Sequence, residues 1–205
     1  MSTEFKPVDP AALDWDKVNG MIPVIIQDDA TLRVLMLGYM DRDALETTRS
    51  SDKVTFFSRS KKRLWTKGET SGNHLELVEI RSDCDNDTLL VTVRPHGPTC
   101  HTGETSCFSA APGNFLGALN ALIKQREHDR PLNSYTTKLF EKGARHIAQK
   151  VGEEGVETAL AGVVQLDEDL LGESADLLFH LIVLLRARGL SLDDAIGVLE
   201  DRHAK

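Results

Sequence analysis

The feature that most constrains this chain is a change of apolar period on either side of Ser109–Asn114 (SAAPGN), a run of small residues containing proline and glycine. Before it, between Met21 and about Phe108, come short β-rich runs separated by polar turns: MIPVIIQ, TLRVLMLGYM, KVTFFSR, HLELVEI and TLLVTVR. After it, apolar residues recur at helical spacing: Phe115, Leu116, Leu119, Leu122 and Ile123; Phe140, Ala144, Ile147, Ala148 and Val151; Leu177 to Leu185; and Leu192, Ala195, Ile196 and Leu199. The expectation is an α+β protein of two domains: a mainly-β domain at 1–108, a linker at 109–114 and an all-α helical bundle at 115–205. Four helices with short connections would let facing helices supply ligands to a central metal.

Local signals refine this outline. Asp28–Asp29 suits a hairpin turn between the first two strands, and Asp41 to Arg49 reads as a short helix capped by Asp41. HLELVEI alternates through Leu75 and Leu77, with Glu79 or Ile80 marking a change of face. Ser191 with Asp194 three residues later resembles a capping pair, and Gly189 ends the helix before it.

Residues 83–107 hold all three cysteines, Cys84, Cys100 and Cys107, interleaved with Asp83, Asp85 and Asp87. Thiolates suit zinc and clustered carboxylates suit magnesium or calcium, so two different metals have ligands here. Three thiolates leave tetrahedral zinc one ligand short, which marks a catalytic rather than a structural site. The plain alternative is three inert buried thiols, but the Asp, Asn, Pro, Gly, Thr, His and Glu around them are a poor lining for an apolar pocket. An odd count and the lack of a secretion signal weigh against a disulfide.

Upstream, SRSKKRLWTKGETSGN (58–73) carries Arg59, Lys61, Lys62, Arg63 and Lys67 in a Gly/Ser/Thr-rich stretch. Backbone N–H groups at Gly68, Ser71 and Gly72, with Lys67, can hold a phosphate. Lys61 and Lys62 read as a surface turn, and Trp65 either stacks on a ligand or belongs to the core. A net charge of −8 argues against a nucleic-acid partner and for small phosphorylated ligands. With 40% hydrophobic and 27% charged residues the chain is ordinary for a soluble globular protein. The N-terminus has no apolar run behind a basic start, so the expected location is the cytoplasm. LLFHLIVLL (177–185) falls well short of the roughly 20 residues that span a membrane and reads as a buried core helix.

In the helical half, Glu153, Glu154 and Glu157 lie in KVGEEGVE, and Glu173 and Asp176 in ESAD. Spacings of four and three residues put Glu153 with Glu157, and Glu173 with Asp176, on common helix faces. Two such faces opposed can hold Mg²⁺ and a bound di- or triphosphate. A solvated acidic face is the alternative, against which stand the apolar neighbours Val156, Ala159, Leu160, Leu177 and Leu178, placing the carboxylates at the edge of a core. Lys150 either touches phosphate or pairs with the glutamates, and His180 reads as a satisfied core residue.

EEGVE followed by ESAD resembles the EExxE…ExxD pattern of all-α nucleotide pyrophosphohydrolases. SYTTKLFEKGARHIAQKVGEEGVE, ADLLFHLIVLL and LEDRH are similar, more narrowly, to the phosphoribosyl-ATP pyrophosphohydrolase of histidine biosynthesis, from about Phe115 to His203. DWDKVNGMIPVIIQD, VLMLGYMD, VTFFSRSKKRLWTKGETSGN and GPTCHTGETSCF resemble phosphoribosyl-AMP cyclohydrolase, which acts next, from about Asp14 to Phe108. The resemblance implies a bifunctional hydrolase with Cys84, Cys100 and Cys107 as zinc ligands, and Asp83, Asp85 and Asp87 as magnesium ligands. It further implies a homodimer whose zinc site is completed across the interface, and it supports the 58–73 stretch as substrate-binding without assigning each residue; Arg59 is a candidate within it. In the helical half, Glu153, Glu154, Glu157, Glu173 and Asp176 would bind Mg²⁺ for cleavage between the α- and β-phosphates.

Opening the purine ring requires water at C6 of an N1-ribosylated adenine, and zinc supplies a water of lowered pKa. His101, next to Cys100, is the candidate proton shuttle, its other readings being a fourth zinc ligand or an ordinary loop histidine. Two competing assignments fit less well. A zinc purine deaminase joined to a general nucleotide pyrophosphatase would need H-x-E with P-C-x-x-C, whereas Cys100 and Cys107 are separated by six residues. A structural zinc module fused to a helical dimerisation bundle would need a fourth protein ligand.

Overall fold

The computed structural model of the protein describes residues 8–204, and the chain divides between Phe115 and Leu116 into two compact units. The first unit contains strands β1 (Ile22–Asp28), β2 (Val34–Met40), β3 (Thr55–Ser58), β4 (Arg63–Thr66), β5 (Leu75–Ser82) and β6 (Leu89–Pro95), with helix α1 (Arg42–Ser51) after β2. Alternation in IPVIIQD buries Ile22, Val24 and Ile26 on one face of β1. They join Leu35, Met40, Leu89, Val91, Val93 and Trp15 in one core. Four strands form a sheet in the order β2-β1-β6-β5, with β1 and β6 parallel and the outer pairs antiparallel.

The expected change of face in HLELVEI is a β-bulge. The register shifts between Leu77 and Glu79, leaving Val78 as the extra, exposed residue while Leu77 and Ile80 both pack on the core. Asp41 caps α1 as expected, its carboxylate accepting from the Ala44 N–H at 2.8 Å. The first hairpin turn is longer than an Asp28–Asp29 pair. Asp28 ends β1 half-turned inward, accepting from the Ala30 N–H and the Thr31 hydroxyl, and β2 resumes only at Val34. Strand β4 was hidden in the basic stretch: Trp65 pairs with Phe56 and Leu64 with Phe57 in a separate two-stranded sheet.

The second unit is all-helical: α2 (Phe115–Asp129), α3 (Tyr135–Lys142), α4 (Ala144–Val164), α5 (Asp167–Ala187) and α6 (Leu192–His203). Five helices replace the expected four because Gly143, at φ 81°, splits the Phe140–Val151 run. Its N–H closes α3 on the carbonyls of Leu139 and Phe140, and α4 starts at the next residue. The apolar spacing runs unbroken across this joint, so periodicity alone could not reveal it. Ser191 and Asp194 form the expected capping box. Gly189 terminates α5 in a Schellman arrangement, the Leu190 N–H reaching the Leu185 carbonyl and the Gly189 N–H that of Arg186.

The core of this unit is small, built on Ile123, Leu139, Ile147, Ile182 and Val183. LLFHLIVLL is therefore not buried all round: His180, Ile182 and Val183 are inside, while Leu178 is 42% exposed. Val156 and Leu160 are also exposed, so these two neighbours do not form the core at whose edge the carboxylates were expected. The exposed Val156, Leu160 and Val163 leave one face of α4 open, whereas Phe179–Ala187 of α5 has no exposed residue. Among the described residues no helix is long and apolar enough to cross a membrane.

Candidate functional site

In the first unit the residues that follow β4 and those that follow β6 face each other across a pocket of about 600 Å³. One wall is Trp65, Lys67, Gly68, Ser71 and Asn73, and the other is Thr99, Cys100, His101 and Cys107. The first wall depends on Gly68, whose φ is +85° and whose missing Cβ would lie 2.5 Å from the Asn73 carbonyl. The second wall is fastened to β2: the Cys107 N–H donates to the Leu35 carbonyl at 2.7 Å and the Ser106 hydroxyl to that of Val34 at 2.8 Å. Lys67 is buried, yet pairs with no acid among the described residues. A desolvated ammonium facing a pocket is an anion site.

The thiols here are unequal. A hydrogen bond from the Thr102 hydroxyl, 3.1 Å from Sγ, holds the Cys100 thiol below its ordinary pKa. Local desolvation, with Cys100 beside it, pushes the Cys107 thiol up, and Lys67 opposes that rise. His101 Nδ1 is 3.8 Å from Cys100 Sγ. Cys84 belongs elsewhere, exposed on the β5–β6 turn with Sγ 3.9 Å from Asp85 Oδ1. Among the described residues the three thiols do not form a group with all ligand atoms within 4.8 Å.

Asp83, Asp85 and Asp87 do form such a group on that turn. Asp83 Oδ1 closes the turn by accepting from the N–H groups of Asp87 and Thr88, at 3.0 and 3.1 Å. The Lys17 ammonium bridges Asp85 and Asp87. Its hydrogen bonds hold both carboxyls below the usual carboxylate range, the charge of Asp87 opposing this at Asp85. An ammonium seated between carboxylates stands in for a cation, so this donor set fits a hard metal ion.

Two predicted substrate residues of the 58–73 stretch lie outside the main pocket. Arg59 stacks its guanidinium 3.8 Å from the Tyr39 ring centroid. Gly72 lines a smaller pocket of about 340 Å³ with His74, Glu76 and His96. Trp65 answers to both of its readings, stacked on Phe56 at 5.7 Å and lining the main pocket. Thr99, Asn73 and Lys17 were not singled out in the sequence, although each lies in a stretch that carries the family resemblance; the pairing of Lys17 with Asp85 and Asp87 spans 68 residues or more and has no local signal.

In the second unit Glu154, Glu157 and Glu173 bring carboxylate oxygens within 4.8 Å of one another between α4 and α5. The expected partner of Glu157 on α4 was Glu153. Glu153 instead turns to Gln149 and Lys150, at 2.8 and 2.9 Å, and the three-residue pair Glu154 and Glu157 faces α5. Lys150 reaches Glu154 as well, at 2.9 Å, so it acts here as a partner of the glutamates. Desolvation, then the charges of Glu157, Glu154, Asp176 and Asp169, push the Glu173 carboxyl above its ordinary pKa. A divalent cation would relieve that repulsion, and the oxygen-only donor set fits Mg²⁺.

A strand-rich unit with a thiol-lined pocket and an aspartate cluster, joined to a helical unit with a glutamate cluster, defines a two-domain protein with a candidate site in each domain. Residues 36–109 match the family model of phosphoribosyl-AMP cyclohydrolase, and residues 116–203 that of phosphoribosyl-ATP pyrophosphohydrolase. The chain is 71% identical over 192 residues to the histidine biosynthesis bifunctional protein HisIE of Xanthomonas campestris pv. campestris, covering 94% of this chain and 93% of that protein. It is 55% identical over 200 residues to the protein of the same name from Shewanella oneidensis, covering 96% and 94%. The chain belongs to this family of bifunctional histidine-biosynthesis enzymes.

Proposed function

We propose that the helical unit converts phosphoribosyl-ATP and water to phosphoribosyl-AMP and pyrophosphate. The strand-rich unit then opens the adenine ring between N1 and C6, giving the formimino product. The observation that carries this reading is the pairing of each family match with its own cluster: thiols, histidine and a buried lysine around one pocket, and three glutamates between two helices.

In the strand-rich unit Cys100 and Cys107, with Cys84, would hold zinc, which supplies Lewis acidity and a water acidified towards about pKa 7. Lys67, Ser71 and the backbone of Gly68 bind the substrate phosphate, and Trp65 offers a flat face to the purine. His101, on the rim beside Cys100, moves the proton between water and the ring nitrogen. Asp83, Asp85 and Asp87 would hold Mg²⁺, with Lys17 displaced from between the last two. In the helical unit Glu154, Glu157 and Glu173, together with Glu153 and Asp176, would hold the Mg²⁺ that neutralises the triphosphate.

The zinc site belongs to a homodimer in which Cys84 comes from the other copy. The separation of Cys84 from Cys100 and Cys107 within one chain supports this. The enzyme works in the cytoplasm, where the thiols stay reduced.

The test assays phosphoribosyl-ATP with two variants. Cys100→Ala accumulates phosphoribosyl-AMP, whereas Glu154→Gln releases no pyrophosphate but still processes added phosphoribosyl-AMP. Loss of both activities in each variant would contradict two independent sites.

A further inference from the structure

One buried ring ties three helices to the carboxylate cluster. His180 is 4% exposed and Glu154 5%, the most enclosed charged or titratable side chains of the helical unit. The Nδ1 of His180 lies 2.9 Å from the backbone carbonyl of Asp176, one turn earlier on α5. A carbonyl only accepts, so Nδ1 is the donor in this contact. The Tyr135 hydroxyl, at the start of α3, hydrogen-bonds with Nε2 at 3.0 Å. The Nδ1–H edge also faces Glu154 Oε1 on α4 at 3.6 Å, too long for a hydrogen bond but close enough for its dipole to favour the carboxylate. Lys150 holds the same oxygen at 2.9 Å, so Oε1 is committed to protein partners.

Tyr135 is itself fixed. Its ring stacks on Phe179 at 6.1 Å and meets His180 edge-on at 6.0 Å, while Ser134 caps the helix it begins. The line Tyr135, His180, Glu154 therefore runs from a half-exposed tyrosine to the buried carboxylate of the cluster.

We propose that Tyr135 and His180 are positioning residues for the pyrophosphohydrolase centre: they hold the Glu154 carboxylate and the Asp176 turn in the geometry that receives Mg²⁺. This rests on the reading of Glu154, Glu157 and Glu173 as the magnesium site. Neither side chain needs to touch substrate or metal. The ring sets the tilt of a carboxylate that otherwise answers only to the flexible Lys150 chain, and the Tyr135 hydroxyl sets the ring.

The experiment uses the full chain with Asp85→Asn and Asp87→Asn, so that the other acidic cluster does not contribute, and titrates Mg²⁺ by calorimetry. Tyr135→Phe keeps the stacking and removes only the hydroxyl. Removing such a supporting partner of a metal ligand typically weakens metal binding by about 10–100-fold. Tyr135→Phe is expected at the lower end and His180→Leu at the upper, with kcat for pyrophosphate release falling more than KM rises. His180→Asn, whose amide can still donate to the Asp176 carbonyl, should recover part of the affinity. Glu154→Gln is the reference variant. If it abolishes Mg²⁺ binding while Tyr135→Phe and His180→Asn leave affinity and kcat at the parent values, the positioning role is overturned and the site reading stands. If Glu154→Gln itself leaves Mg²⁺ binding unchanged, the site reading fails first. Should His180→Leu melt early, the Tyr135→Phe and His180→Asn titrations still decide the matter.

Discussion

Replacing Gly68 by alanine should separate the two activities of this enzyme more cleanly than removing a charged residue. Gly68 sits at φ +85°, and a Cβ there would lie 2.5 Å from both the carbonyl carbon and oxygen of Asn73 and 2.7 Å from the His74 nitrogen. Those atoms are backbone, so no side chain can swing away to relieve the overlap. The strained conformation alone costs about 1–3 kcal/mol. Relieving the overlap must in addition move the 67–73 wall away from its present place opposite Cys100 and His101. A displacement of about 1 Å in a positioning element costs roughly 100-fold in rate. The expected result is a fall of about that size in cyclohydrolase kcat/KM, with pyrophosphate release from phosphoribosyl-ATP unchanged. Both are measured on the same purified chain, with a thermal melt to register the lost stability. A Gly68→Ala enzyme with parental cyclohydrolase kcat/KM would show that this wall does not shape the cyclohydrolase centre.

Three further outcomes follow from the geometry. Lys17→Ala removes the hydrogen bonds that depress Asp85 and Asp87, so both carboxyl pKa values should rise, Asp85 more clearly because Asp87 remains beside it; carboxyl-carbon NMR titration reads this directly. In the parent chain these depressed values favour the fold above the ordinary aspartate range, a contribution lost as pH falls through them. Glu173 has the opposite sign: with its pKa raised, the native state binds its proton more readily than the unfolded chain. The Mg²⁺-free helical unit should therefore gain stability as pH falls into the raised range, while Mg²⁺ affinity drops over the same interval, both measurable by melting and calorimetry. Ile147→Ala, at a fully buried site in a small core, should cost about 2–5 kcal/mol by denaturant titration and lower pyrophosphohydrolase yield before cyclohydrolase.

Much of the fold was legible because it rests on local pattern. Strand alternation in IPVIIQD, the caps at Asp41 and Ser191, and the terminator Gly189 each depend on residues within a turn or two of one another. What escaped was set at a distance. Strand β4 takes its identity from pairing with β3, not from RLWT itself, and the split at Gly143 is masked by an apolar spacing that continues through it. Glu154 rather than Glu153 joins Glu157 because the face of α4 that matters is the one α5 packs against, which a single helix cannot announce.

The sequence alone determined the division into a β-rich and a helical half, and it singled out the thiols, aspartates and glutamates as candidate ligands, since residue type and local spacing suffice for that. Only the tertiary structure decided which of them meet. It brought Lys67 and Ser71 opposite Cys100 and His101, left Cys84 apart, put Lys17 between two aspartates, and set His180 between Tyr135 and Glu154. The reason is physical: ligand spacing within a turn is fixed by backbone geometry, whereas contacts between elements depend on how whole faces pack to bury their apolar surface.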